Sequence, residues 1–308
     1  MNNVFDNEQL TDEALIRELP GYANGIVTAN GINFHYVSGG SGEVLLLLPR
    51  WPETWWSYHK IMPELAAQYH VIVLDIRGMG SSDKPEQGYE KENMAHDVAA
   101  IIKALGHTKI NIAGHDISAS IAFSFAANYP ELTKRLIILD TPPPDENMYK
   151  LPMLPIPGYL HPWWLAFNQV KGLPEKLLVG RMHLLLDWIF DQMLIQKQNI
   201  TEFDRAVYAK TYNTEEGIRA SNAWYQAFPK DIEDFKRYAK LEMPVLAIGG
   251  STFKLLELVL PALATNLQLT EIENCGHFIQ SDQPEELVLC LKTFLNSPQI
   301  GSFQPITS

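Results

Sequence analysis

KINIAGHDISASIAF, Lys109 to Phe123, is the stretch whose reading decides the fold. A β-rich run, Lys109 to Gly114, breaks at a sharp turn, and a helix follows through Ile121 to Asn128. In a strand–turn–helix of this kind the turn strains its central residue and points that side chain into a crevice. Gly114 and Ser118 are small because strand and helix approach closely there. The central residue is Asp116. A carboxylate in that position attacks a saturated carbon and leaves an ester, whereas a serine would suit acyl transfer. The plainer reading is a turn in which Asp116 caps the following helix.

The pattern extends in both directions. A short leading helix is expected over Leu10 to Leu19, stopped by Pro20-Gly21, and strands at Asn33 to Val37 and Val44 to Leu48. A helix is then expected around Tyr58 to Gln68, a strand at Val71 to Ile76, a helix at Glu92 to Leu105 and a strand at Arg135 to Asp140. From Thr141 to about Leu241 the strand signals stop. PPPDE and LPMLPIPG are proline-rich connections, and the rest reads as helices rich in aromatics. Strands return at Val245 to Gly250 and Leu267 to Glu273, with a last helix at Glu285 to Leu295.

Strand–helix alternation implies an α/β fold with a mostly parallel sheet covered on both faces. The expected division is a core of residues 1–140 and 242–308, interrupted by a helical cap, 141–241, over the C-terminal ends of the strands. Binding crevices in open α/β sheets lie at those ends.

Bulk composition narrows the function classes. The chain has 308 residues, 46% hydrophobic and 19% charged, which suits a globular fold with a large core. A net charge of -12 argues against nucleic acid or anionic membranes as partners. No apolar run reaches the roughly 18 residues of a membrane span. The polar, acidic start, MNNVFDNEQLTDEAL, does not read as a secretory signal. Cys275 and Cys290 form neither a disulfide framework nor a metal spacing, so a reducing, cytoplasmic setting is expected. There is no phosphate loop and no metal-ligand cluster, so no cofactor is expected. The partner to look for is a small-molecule substrate, with a homodimer left open.

A second motif, NCGHFIQSDQPEEL, puts His277 in the loop between the last strand and the last helix. Nucleophile first and histidine last is the order of a hydrolase triad on this kind of sheet. The alternative is a surface-loop histidine.

Together these motifs resemble the α/β-hydrolases of the epoxide hydrolase and haloalkane or haloacid dehalogenase branch, from about Gly21 to Leu295. The resemblance is carried by GINFHYVSGG, WPETWWSY, LDIRGMGSSDKP, AGHDIS, FNQVKGLPEKLLVGR, NAWYQAFPKD and CGHFIQSDQPEEL. It implies Asp116 as nucleophile and His277 as the base that activates water against the ester. Many relatives carry the acid after the strand read here as VLAIGG, but Ser251-Thr252-Phe253 follows it. The dehalogenase-type arrangement makes Asp140 the acid, with Glu257 as the second candidate. Asp140 also reads as a strand-end turn cap.

The resemblance further implies Tyr225, in NAWYQ, as a phenol donating to the epoxide oxygen. The partner position falls at or next to Trp163 and Trp164, where an indole N–H donates but cannot give up a proton. The arginines that hold a halo-acid in fluoroacetate-type relatives are replaced by Ile117 and Ser120. With aromatics at Trp163, Trp164, Phe167, Trp188, Phe190 and Trp224, an apolar or aromatic substrate is expected; helical spacing also reads several of them as core.

In these relatives a His-Gly-x-Pro loop gives the N–H of x to an oxyanion hole, paired with the N–H after the nucleophile. Here x is Trp51, the other donor is Ile117, Trp51–Pro52 is expected to be cis, and Pro49-Arg50 replaces His-Gly. Facing the crevice, Arg50 would favour an anionic group and keep Asp116 ionised. Large charged side chains usually stay wet, so Arg50 is expected to face solvent. The functional expectation is epoxide hydrolysis through an ester on Asp116. Carbon–halogen hydrolysis, with Trp164 or Trp51 near the halide, is the first alternative. A non-hydrolytic binding protein, isomerase or cyclase is the second.

Overall fold

The computed structural model describes residues 5–298. Eight strands form one sheet: β1 (Tyr22–Ala29), β2 (Ile32–Gly39), β3 (Glu43–Leu48), β4 (Tyr69–Leu74), β5 (Ile110–His115), β6 (Thr133–Leu139), β7 (Val245–Gly249) and β8 (Leu267–Glu271). Their spatial order is β1-β2-β4-β3-β5-β6-β7-β8. The first two pairings, β1 with β2 and β2 with β4, are antiparallel, and the remaining five are parallel. The chain therefore has an α/β fold, a mostly parallel sheet flanked by helices, as expected.

The central strands are apolar throughout because both faces are covered. Leu45 to Leu48 of β3 and all six residues of β5 are buried. The edge behaves differently. In β1 only Val27 and Ala29 are buried, so YANGIVTA carries little apolar signal and was not expected as a strand. Asn30-Gly31, both at positive φ, closes β1 onto β2 with the register Ala29 opposite Ile32, the two-residue hairpin turn that an Asn-Gly pair favours.

The expected helix at Tyr58 to Gln68 is instead a 3-10 turn, Trp55–Tyr58, followed by a short helix, Met62–Ala66. Pro63 explains the break, since proline lacks an N–H and is tolerated only in a first helical turn. The leading helix is likewise shorter, Asp12–Ile16. A helix at Phe253–Val259, which had not been expected, follows β7.

Between β6 and β7 the described chain is helical: Trp163–Phe167, Leu173–Leu178, Met182–Met193, Glu202–Tyr212, Glu215–Gln226 and Phe228–Phe235. This insertion is tied to the loop after β3. Tyr212 Oη donates to Glu53 O at 2.7 Å, and Trp56 Nε1 donates to Asp204 Oδ1 at 2.7 Å. Asp204 also closes a capping box with Thr201, so one carboxylate starts the helix Glu202–Tyr212 and docks it. Among the described residues no helix is long and apolar enough to cross a membrane.

Gly114 is a point of close backbone approach at the end of β5. A Cβ placed there would lie 2.2 Å from the backbone oxygen of Ser118. Gly114→Ala must push β5 and the helix Ile117–Asn128 apart, an overpacking cost of roughly 1–3 kcal/mol. Urea unfolding should show a lowered midpoint, and an unchanged midpoint would mean that the close approach is not needed.

Candidate active site

Three strand ends converge. Asp116 follows β5 with φ 54° and ψ -121°, a strained conformation for a non-glycine residue. Its side chain makes no helix-capping hydrogen bond, so the capping reading does not describe it. Asp140 follows β6, also at positive φ (51°), and is fully buried. His277 lies in the loop after β8 and is 5% exposed.

His277 bridges the two carboxylates. Its Nδ1 is 2.5 Å from Asp140 Oδ2, and its Nε2 is 3.8 Å from Asp116 Oδ1. The first contact is a short hydrogen bond, and the second is within ion-pair distance but too long for a hydrogen bond. Asp140 is held by more than the histidine. Its Oδ1 accepts from Gly250 N at 2.7 Å and Thr252 N at 3.2 Å, and its backbone carbonyl accepts from the Thr252 hydroxyl. The loop after β7, which lacks a carboxylate, thus supplies donors to one. Glu257 is exposed and contacts Lys254, well outside this group.

The insertion and the His277 loop are mutually fixed. His277 N donates to Met193 O at 3.0 Å, while Asp282 accepts from Gly276 N at 2.9 Å and Ile195 N at 3.1 Å. Phe278 is buried against Phe190, ring centroids 5.0 Å apart.

The loop after β3 contributes the nearest surprise. Trp51–Pro52 is cis, as expected, and Trp51 is buried with its ring edge-on to Tyr225 at 5.5 Å. Arg50, expected in solvent, is only 2% exposed. Its guanidinium carbon lies 3.7 Å from the centroid of the Phe278 ring, so the loop turns the side chain inward beneath the His277 segment. Its Nε and Nη1 have no hydrogen-bond partner. A desolvated cation–π contact contributes about 2 kcal/mol. Burying an ion costs several kcal/mol, so Phe278 alone does not offset the desolvation. The remaining stabilisation must come from the carboxylates around it.

Around Arg50 sit buried polar groups that sequence reasoning passed over: Glu53, His115 and Gln280. Gln280 Nε2 donates to Glu53 Oε2 at 2.9 Å, while Glu53 Oε1, Gln280 Oε1 and both His115 ring nitrogens have no partner. His115 faces His277 edge-on at 5.1 Å. The available signals were local: His115 abuts Asp116, and Gln280 stands one helical turn after His277.

These neighbours set the charge states. Burial would raise Asp116, but His277, Arg50 and the Ile117 N–H outweigh it and lower its pKa, keeping a carboxylate anion. For His277, burial and Arg50 lower the pKa, yet Asp116 and Asp140 prevail and raise it. Burial, then Arg50 and His277, push His115 well down, so it is neutral. Burial, then Asp116, push the Tyr225 phenol well up, so it keeps its proton. Burial lifts Glu53 to about 7, against the opposing charge of Arg50.

The aromatics divide. Trp163 packs on Trp188 at 5.2 Å and on Phe167 at 5.8 Å, and Trp164 on Trp188 at 6.3 Å, a cluster of rings in edge-on and tilted contact. Trp224, expected to line the substrate pocket, is fully buried and its Nε1 donates to Arg77 O at 2.8 Å. It anchors the helix Glu215–Gln226 to the loop after β4, which leaves the adjacent Tyr225 turned toward Trp51. Two open surface clefts, one bounded by Lys109, Pro130 and Pro244 and the other by Leu15, His59 and Phe203, contain none of the site residues. Among the described residues no group of three or more His, Cys, Asp or Glu is placed to hold a metal ion.

A family model described as the alpha/beta hydrolase fold matches residues 43–284. The chain is 33% identical to the soluble epoxide hydrolase of Corynebacterium sp. (strain C12), over 84% of this chain and 92% of that protein. It is 25% identical to a fluoroacetate dehalogenase of Burkholderia sp, over 92% of this chain and 97% of that protein. The solved structure of the epoxide hydrolase CorEH without ligand superposes with a TM-score of 0.82 at 31% identity, over 89% of this chain and 98% of that one.

Glu53 makes the fold's stability depend on pH. Its folded pKa, about 7, exceeds the ordinary 4.5, so between those values the folded chain binds a proton that the unfolded chain has released. Stability therefore falls as pH rises from about 4.5 to about 7, by on the order of 3 kcal/mol. Glu53→Gln should flatten that slope in urea unfolding followed across the window. An identical slope in parent and variant would refute the assignment.

Proposed function

The chain belongs to the α/β-hydrolase fold family, on its epoxide-hydrolase-like branch, and we propose that it is an enzyme that hydrolyses an epoxide on an apolar or aromatic substrate. The observation that carries the reading is the bridge from Asp140 through His277 to Asp116, 2.5 Å on one side and 3.8 Å on the other, at the strained turn after β5.

In this reading Asp116 is the nucleophile. Its Oδ attacks an epoxide carbon in line, the carbon–oxygen bond of the ring breaks, and the released oxygen takes a proton from the Tyr225 phenol. The product is an ester on Asp116. His277 Nε2 then takes a proton from water as the water oxygen adds to the ester carbonyl. The Trp51 and Ile117 N–H groups stabilise the oxyanion. Collapse releases the diol, returns the Asp116 carboxylate, and passes the histidine's proton back to the phenolate. Asp140 holds Nδ1–H so that Nε2 is the accepting nitrogen. Residues 141–241 act as a cap that covers the strand ends and presents Tyr225.

The rings of Trp163, Trp164 and Phe167 give that cap an apolar character, which favours an apolar substrate over a small charged one. A second reading, displacement of a halide by Asp116, has one observation in its favour. The indole N–H of Trp51 is buried and has no partner, and such a donor suits a leaving halide.

Incubation with aryl and alkyl epoxides and halides in water enriched in heavy oxygen tests both. One turnover should place label in the protein at Asp116, and diol or halide release distinguishes the two substrates. His277→Gln should accumulate the ester as a mass increase on Asp116, with turnover lowered roughly 10²–10⁴-fold. Asp116→Asn should form no adduct. Undiminished turnover in Asp116→Asn would sink the nucleophile, and unaltered ligand affinity with no turnover in the parent would favour a binding protein.

A further inference from the structure

Arg50 is a charge that the reaction above does not use. It is buried against the His277 loop, stacked at 3.7 Å on Phe278, the residue next to His277. Two of its nitrogens have no hydrogen-bond partner, and it forms no ion pair among the described residues. A guanidinium so placed acts through its field, since nothing nearby neutralises it by contact.

We propose that Arg50 is a positioning residue for the base: a fixed positive charge that keeps His277 neutral once Asp116 has become an ester. The proposal rests on the ester reading above. In the resting enzyme His277 lies between two carboxylates, Asp116 and Asp140, which favour its protonated form. Ester formation removes the charge of Asp116 and leaves that of Asp140. Arg50 stays, so the balance at His277 tips toward the neutral imidazole at the moment it must accept a proton from water. The same cation favours ionised Asp116 before attack, so one charge serves both half-reactions.

The groups that share this field are few. On its own loop are Glu53 and Tyr58, and at the turn after β5 are His115 and Asp116. His277 faces it from the far side, with Asp140 and Cys275 beyond, and Tyr208, Tyr212 and Tyr225 from the insertion, where Asp204 acts on Glu53. Buried tyrosines and the Cys275 thiol have their pKa values raised and stay neutral, and His115 is neutral too. The carboxylates on these elements are Asp116, Asp140, Glu53, Asp204 and, on the His277 segment, Asp282.

The test uses Asp116→Asn as a neutral stand-in for the ester. In that background the His277 imidazole, followed by NMR, should titrate lower than in the parent. Adding Arg50→Gln should raise it by about one pH unit, whereas Arg50→Lys should leave it nearly unchanged. Equal titration in the Gln and Lys variants overturns the proposal. With Asp116 intact and a neutral aryl epoxide, decay of the ester is followed by mass across pH. Arg50→Gln should slow it up to about tenfold near neutral pH, with recovery in alkali.

A loss of equal size at every pH would make Arg50 merely structural. A loss confined to the KM of carboxylate-bearing epoxides would make it a substrate receptor. Either overturns the proposal. If Arg50→Gln does not fold, Arg50→Met keeps the stem over Phe278 without the charge. Should no epoxide or halide form an ester, the reaction reading fails, while the titration in Asp116→Asn still decides Arg50.

Discussion

The carboxylate of Asp140 is the interaction on which the site depends. It accepts from the backbone of Gly250 and Thr252 after β7 and from His277 after β8, while its own residue ends β6. Three consecutive loops of the sheet are thereby joined at one buried anion. Charged hydrogen bonds of this kind are roughly twice as strong as neutral ones, and leaving such a carboxylate unpartnered would cost several kcal/mol. The strand order makes the arrangement possible, because β6, β7 and β8 are parallel neighbours and release their loops at the same edge.

A second constraint fixes the other side of His277. The close approach at Gly114 forces the turn after β5 into a conformation that only a strained residue can hold, and Asp116 holds it. Between the two carboxylates the imidazole has one nitrogen hydrogen-bonded and one free to act. The insertion then closes the group. Met193 binds the His277 backbone, Tyr212 binds that of Glu53, and Tyr225 packs on Trp51. The side chains that face the reacting centre are therefore set by contacts made largely on the reverse faces of the same loops.

The α/β alternation was legible because the central strands are apolar on both faces and the helices carry a regular period. That is how β3, β5 and β6 were placed within a residue or two. Where burial is one-sided or partial the signal fades, and β1, an edge strand with six of eight residues not buried, went unread. Pro63 cut a helix that periodicity alone extended. Asp116, His277 and Asp140 could be singled out because each follows a readable strand. Glu53, His115 and Gln280 could not, because buried polar residues in loops follow no period and are recognised only by their partners. Trp224 and Tyr225 show the same limit from the other side: adjacent aromatic residues on one helix face different partners, and composition does not say which ring meets the crevice.

Arg50 shows why the general preference of charges for water fails at such a place. The preference is an average over surfaces, where a guanidinium loses nothing by staying hydrated. Here the loop after β3 is held on both flanks, by the Glu53 N–H to Arg50 O turn on one side and by Ser118 Oγ donating to Pro49 O on the other. With the backbone so fixed, the direction of the side chain at position 50 is decided by the backbone, and it is inward. The desolvation cost is then offset by Phe278 and by the surplus of carboxylates that the site carries in any case. A charge at position 50 thus bears on the whole buried group through its field, with Phe278 as its close side-chain contact.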